Sequence, residues 1–189
     1  ATAPQPGGVG TRTLGIDFGL RRVGLALSGG FAPLPLSVLP CDDDADAFEN
    51  IARRSARAAL GEGASQIVLG MPLNTAGEEG EQANVTRTFA SMLAYAAAPI
   101  PVFLWDERFS TAEAKLRMAA GGPVAAPGAA GSLDAVAATV ILEDVCAAPP
   151  EAREKAEHVG LTEAQQRALD DVLAAAPPPP PPPPSASDI

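Results

Sequence analysis

The sequence predicts a mixed α/β domain built on a five-stranded sheet, three antiparallel strands followed by alternating helix and strand, with helices on both faces. Three observations point there. Three short apolar runs, residues 13–18, 23–28 and 34–39, precede any helical periodicity and are separated only by turn-forming residues, so they pair as neighbours. Beyond residue 44, helical and strand patterns alternate, which calls for parallel crossovers. The later strands are nearly continuous apolar runs, as in strands covered on both faces.

Each element follows from its residues. Gly19-Leu20-Arg21-Arg22 separates the first two runs and makes them a hairpin, and residues 34–39 supply a third strand despite Pro35. Asp44, Asp46 or a neighbour caps a helix running to about Leu60, with Phe48, Ile51, Ala52, Ala56, Ala59 and Leu60 at helical spacing, before Gly61 and Gly63 stop it. Residues 66–70 form a buried strand ended by Met71-Pro72-Leu73-Asn74, and residues 79–97 a helix with Ala83, Val85, Phe89, Met92, Leu93 and Ala96 inward. The fifth strand, residues 101–105, runs into Asp106-Glu107-Arg108. A short helix from Ser110 or Thr111 to about Ala120, a flexible Gly/Ala/Pro stretch at 121–131 and a last helix at 132–146 complete the domain.

The chain thus divides into a disordered start at 1–12, a domain at 13–146, a helical appendage at 147–176 and a polyproline and disordered tail at 177–189. In the appendage, Thr162 is a plausible N-cap, and Leu161, Leu169, Val172 and Leu173 are the apolar anchors. The octaproline at 177–184 is a polyproline II spacer or a ligand for an aromatic groove.

Composition narrows the function. With 13 basic against 23 acidic residues and a charge of -10, a sequence-blind binder held by a broad basic surface is disfavoured, while a focused nucleic-acid site is not. No apolar run approaches the ~20 residues of a membrane helix. Cys41, Cys146 and a lone His158 make neither a disulfide framework nor a zinc site, and they fit a reducing compartment.

The carboxylates carry the chemistry. Asp17 lies inside an apolar strand, where an ionised group costs several kcal/mol unless paired or bound to a cation. Asp106 and Glu107 follow the fifth strand at its carboxyl end, where ligand sites gather in open α/β sheets, and strand alternation lets only one of the two join Asp17. Asp134 lies in the first turn of the last helix. If the first and fifth strands are neighbours, Asp17, one of Asp106 and Glu107, and Asp134 converge, and such a set calls for Mg2+ or Mn2+. A pair of such ions serves phosphodiester cleavage.

Four segments then resemble the YqgF/RuvX family of RNase H-like nucleases: residues 14–28 (Leu-Gly-Ile-Asp-Phe-Gly-Leu-Arg-Arg-Val-Gly-Leu-Ala-Leu-Ser), Ile67-Val-Leu-Gly-Met-Pro-Leu-Asn74 with 77–80, Trp105-Asp-Glu-Arg-Phe-Ser-Thr111 with Glu113 and Ala114, and Leu133-Asp-Ala-Val-Ala-Ala138 with Ile141 and Leu142. The resemblance implies an RNase H-like fold and a Mg2+-dependent nuclease that matures the small-subunit ribosomal RNA precursor or, as earlier proposed for the family, resolves Holliday junctions. It implies that Asp17, Glu107 and Asp134 are the catalytic and metal-binding acids with Asp106 supporting. Arg21, Arg22 and Arg108 would hold phosphates, and Asn74 would border the groove for structured RNA or branched DNA. Two departures stand out: Ser28-Gly29-Gly30 replaces an acid common in the family, and residues 121–132 hold no Lys or Arg, which thins the grip on phosphate. The alternative function is a catalytically weak scaffold subunit that meets a protein partner through residues 147–189. The Ala-Thr-Ala start and added tail favour a plastid stroma or another organelle matrix, with the cytoplasm as the other option.

Overall fold

The structure is a computed structural model and describes residue 6 and residues 10–29, 32–107, 110–119 and 132–175. Its elements run β1 (Thr13–Phe18), β2 (Arg22–Ser28), β3 (Leu34–Pro40), α1 (Ala47–Gly61), β4 (Gln66–Met71), α2 (Glu81–Ala97), β5 (Val102–Asp106), α3 (Ser110–Ala119), α4 (Leu133–Ala147), α5 (Pro150–Glu154), β6 (Glu157–His158) and α6 (Glu163–Ala175). The strands form one sheet in the order β3-β2-β1-β4-β5-β6. β1 pairs antiparallel with β2 and parallel with β4, and β4 pairs parallel with β5. This is the mixed sheet of the RNase H-like fold, and β1 and β5 flank β4 rather than each other.

Alternation along β1 sets the two faces. Leu14, Ile16 and Phe18 join Val23, Leu25, Ile67, Leu69 and Leu104 in a core closed by α1 and α2 through Ile51, Phe89 and Leu93. Phe18 stacks on Phe89 at 4.2 Å between ring centroids and meets Phe48 edge-on at 5.6 Å, a geometry that aromatic quadrupoles favour. The opposite face, lined by Gly15, Gly24, Ala26, Val68 and Gly70, is stripped of bulk. There α4 lies down with Ala138, Ile141, Leu142 and Val145, and α3 packs outside it. Leu60, expected inward, is exposed instead, because the buried stripe of α1 closes at Ile51, Ala52, Ser55, Ala56 and Ala59.

The sixth strand corrects the expected count of five. β6 pairs antiparallel with β5, Phe103 opposite His158 and Leu104 opposite Glu157, and Val159 N–H donates to Val102 O at 2.9 Å. Two residues between helices α5 and α6 carry no alternation to read, so the edge of β5 makes them a strand. Val159 and Leu161 pack against the main core behind it. Arg87 of α2 clamps Glu157, with 2.8 and 3.0 Å contacts, and also Glu79. Thr162 caps α6 as the sequence predicts: Gln165 N–H donates to Thr162 Oγ1 at 3.2 Å, and Thr162 N–H to Gln165 Oε1 at 3.0 Å, a reciprocal capping box. Among the described residues no helix is long and apolar enough to cross a membrane. The stretch 121–131, the octaproline and most of residues 1–12 lie outside the described residues.

Candidate active site

The site is assembled where β1 and β5 end and α4 begins. Asp17 is the next-to-last residue of β1 and stands opposite Gly24 of β2. Its alternation partner is Gly15, so it faces α4 rather than the α1–α2 core. On β5 the same parity puts Trp105 and Glu107 on the α4 face and Asp106 on the other. Glu107 N–H donates to Met71 O at 3.1 Å, which carries the β4–β5 ladder one residue further and fixes that parity.

Two glycines make the floor. A Cβ at Gly24 would overlap the backbone carbonyl of Asp134, and a Cβ at Gly70 would overlap the Glu107 carboxylate. Gly24 therefore lets the first turn of α4 sit directly on β2, beside Asp17, and Gly70 gives the Glu107 side chain room to lie over β4, on Asp17's other side. Trp105 Nε1–H donates to Asp144 Oδ2 at 2.7 Å and ties the far part of α4 to β5, so the helix is held at both ends. The sequence named Asp17, Glu107 and Asp134, which the fold brings to one face, but did not single out Gly24, Gly70 and Asp144. The signal for the first two was available, since a glycine inside a strand marks close approach by another group.

Electrostatics couple the row. Burial, reinforced by the charge of Asp134, raises Asp17 from 3.8 to about 7. Burial, reinforced by Asp17 and then Asp106, raises Glu107 from 4.5 to about 9. Crowded carboxylates out of water resist ionising together. The Glu107 Oε2 and Asp134 Oδ2 atoms are buried without an aligned hydrogen bond, which leaves two acceptors with no directional donor. Among the described residues no three His, Cys, Asp or Glu side chains close into a finished metal cage. The acids instead stand in a row, and their oxygen-only donor set suits a hard divalent cation.

The other sequence-predicted residues fall at different distances from this row. Arg22 reaches it: its Nε lies 2.9 Å from Asp134 Oδ2. Arg21, beside it at the hairpin tip, is exposed. Asp106 is exposed, and its charge adds to the rise of Glu107. Asn74 organises its own turn, its Oδ1 accepting from Ala76 N–H and Glu78 N–H at 2.9 Å each while Nδ2 donates to Glu78 at 3.2 Å. Arg108 lies outside the described residues.

A family profile described as "RuvX: Holliday junction resolvase" matches residues 11–148, which takes in every strand and helix that builds this site. The chain belongs to the RuvX family. Curated relatives named "Putative pre-16S rRNA nuclease" support the assignment. The protein of Anaeromyxobacter dehalogenans (strain 2CP-C) is 40% identical over 132 residues, covering 70% of this chain and 93% of the relative. That of Thermobifida fusca is 34% identical over 142 residues, covering 69% and 84%. Among solved structures, "T. thermophilus RuvC in complex with Holliday junction substrate" aligns at a TM-score of 0.48 and 17% identity, over 69% of this chain and 91% of that one. The RuvX match ends just after α4, so α5, β6 and α6 lie beyond the part of the RuvX domain that the profile describes.

Proposed function

We propose that this RuvX-family protein is a nuclease that hydrolyses phosphodiester bonds in the precursor of small-subunit ribosomal RNA. One observation carries the reading: Asp17, Glu107 and Asp134 share one sheet face at the carboxyl ends of β1 and β5 and the start of α4. The names of the bacterial relatives supply the substrate, and their origin favours the cytoplasm over an organelle. Asp17, Glu107 and Asp134 would hold Mg2+ or Mn2+, with Asp106 supporting through its charge. Bound there, divalent cations supply Lewis acidity and charge neutralisation to phosphodiester hydrolysis. The reactive phosphate of the nucleic-acid strand would lie against these three acids, beside the start of α4. Arg21, exposed at the hairpin tip, would grip a flanking phosphate, and the same role for Arg108 rests on the family resemblance.

A Mg2+ titration of cleavage, on a precursor RNA and on a four-way DNA junction, tests this with wild type beside Asp17→Asn. Cleavage of RNA by wild type, reduced about 100-fold or more in Asp17→Asn, is expected, the scale of removing one preorganised electrostatic group. Faster cleavage of the junction would move the substrate assignment to branched DNA. Silence on both substrates by a folded protein would overturn the nuclease and leave a scaffold role.

A further inference from the structure

The contact between Arg22 and Asp134 is not accounted for by phosphate binding. The guanidinium Nε lies 2.9 Å from Asp134 Oδ2, yet that oxygen has no aligned hydrogen bond, so the pair is held by charge rather than by directional bonding. The two partners are unequally buried: the Arg22 side chain is 63% exposed and that of Asp134 only 23%. A cation arriving from solvent thus meets an oxygen covered by a group that can swing away into water. The backbone under Arg22 stays put when it does, because Arg22 O accepts from Gly19 N–H at 3.0 Å and Arg21 O accepts from Cys41 N–H at 3.0 Å.

We infer that Arg22 is a stand-in cation, neutralising Asp134 while the acidic row is empty of metal and passing to a substrate phosphate when a divalent cation takes its place. This rests on the metal-dependent reading above. A Mg2+ ligand bond of about 2.1 Å brings a double charge to the oxygen that the guanidinium now covers, and two cations cannot crowd one carboxylate oxygen without repulsion. Displaced, Arg22 joins Arg21 at the hairpin tip, where planar guanidinium groups suit phosphate oxygens. Metal binding and phosphate grip are then one linked event. In this linkage Arg22 serves both states.

Mn2+ binding to the full chain without nucleic acid, followed by electron paramagnetic resonance, reads the first half. Arg22→Gln is expected to bind Mn2+ about two- to fivefold more tightly than wild type, the scale of an exposed ion pair, and Arg22→Lys, which keeps the charge, to stay near wild type. Duplex RNA binding reads the second half. In EDTA, Arg22→Gln should bind as wild type does; in Ca2+, wild type should bind more tightly. Mn2+ affinity in Arg22→Gln that is unchanged or weaker, while Arg22→Lys matches wild type, would overturn the stand-in role and leave the metal site standing. Absence of Mn2+ binding by wild type, or undiminished binding by Asp17→Asn, would instead remove the metal reading and this inference with it.

Discussion

Asp17 and Glu107 are held in a state that disfavours their charge, and this has a pH signature. Their folded pKa values lie above the ordinary 3.8 and 4.5, at about 7 and about 9. Between each pair of values the folded protein binds more protons than the unfolded chain, so stability falls as pH rises through that window. The contribution is full below the ordinary carboxylate values and is lost once pH passes the folded ones. A divalent cation held by these acids, as proposed above, would replace those protons and oppose the trend. Thermal melts in EDTA should therefore decline from pH 5 to pH 9, and the gain on adding Mg2+ should grow over the same range. Glu107→Gln should flatten both curves; an equally steep decline in that variant would refute burial of Glu107 as the cause. Asp17 was legible in the sequence because a carboxylate within an apolar run needs a reason, whereas Glu107 and Asp134 were singled out by the family resemblance. The choice of Glu107 over Asp106 was not legible from the residues alone, since it turns on one extra ladder bond, Glu107 N–H to Met71 O.

At the scale of elements, the position of α4 depends on the side chains that the sheet lacks. Gly24 and Gly70 both sit under the site, yet their neighbours differ in kind. At Gly24 the obstacle is the backbone of Asp134; at Gly70 it is the ends of the Glu107 and Ile141 side chains. Backbone cannot yield without moving the helix, whereas side-chain ends can turn aside. Gly24→Ala should thus cost about 1–3 kcal/mol, the range for overpacking a tight contact, and should weaken Mn2+ binding by displacing Asp134. Gly70→Ala should cost less stability but still weaken Mn2+ binding by turning the Glu107 carboxylate. Urea denaturation beside Mn2+ titration separates the two, and equal stability losses would contradict this account of the floor. Strands β1 to β5 and helices α1, α2 and α4 were legible because their patterns are local. The close seating of α4 on glycines was not, because it is a relation between elements far apart in sequence.

For the whole molecule the open question is what residues 150–189 contribute to a domain whose family match stops at residue 148. The acidic row needs none of them: β1, β4, β5 and α4 all lie inside the match. Yet β6 covers the outer edge of β5, and Val159 and Leu161 add apolar cover to the α1–α2 core. An uncovered strand edge offers unpaired N–H and C=O groups to another chain. The Arg87–Glu157 contact adds little by itself, because both side chains are substantially exposed and such pairs contribute at most about 1 kcal/mol. The main loss on truncation is apolar cover, about 1–3 kcal/mol for two partly buried side chains, which lowers the melting temperature by roughly 5 °C in a domain of this size. A chain ending at residue 149 should therefore melt earlier and self-associate with rising concentration, by light scattering, while its metal-dependent cleavage per folded molecule stays near that of the full chain. A truncated chain that melts and scatters like the full one would show that the tail's strand does not stabilise the sheet. Loss of cleavage with stability intact would place part of the substrate grip in the appendage, where the sequence alone had suggested a partner-binding segment.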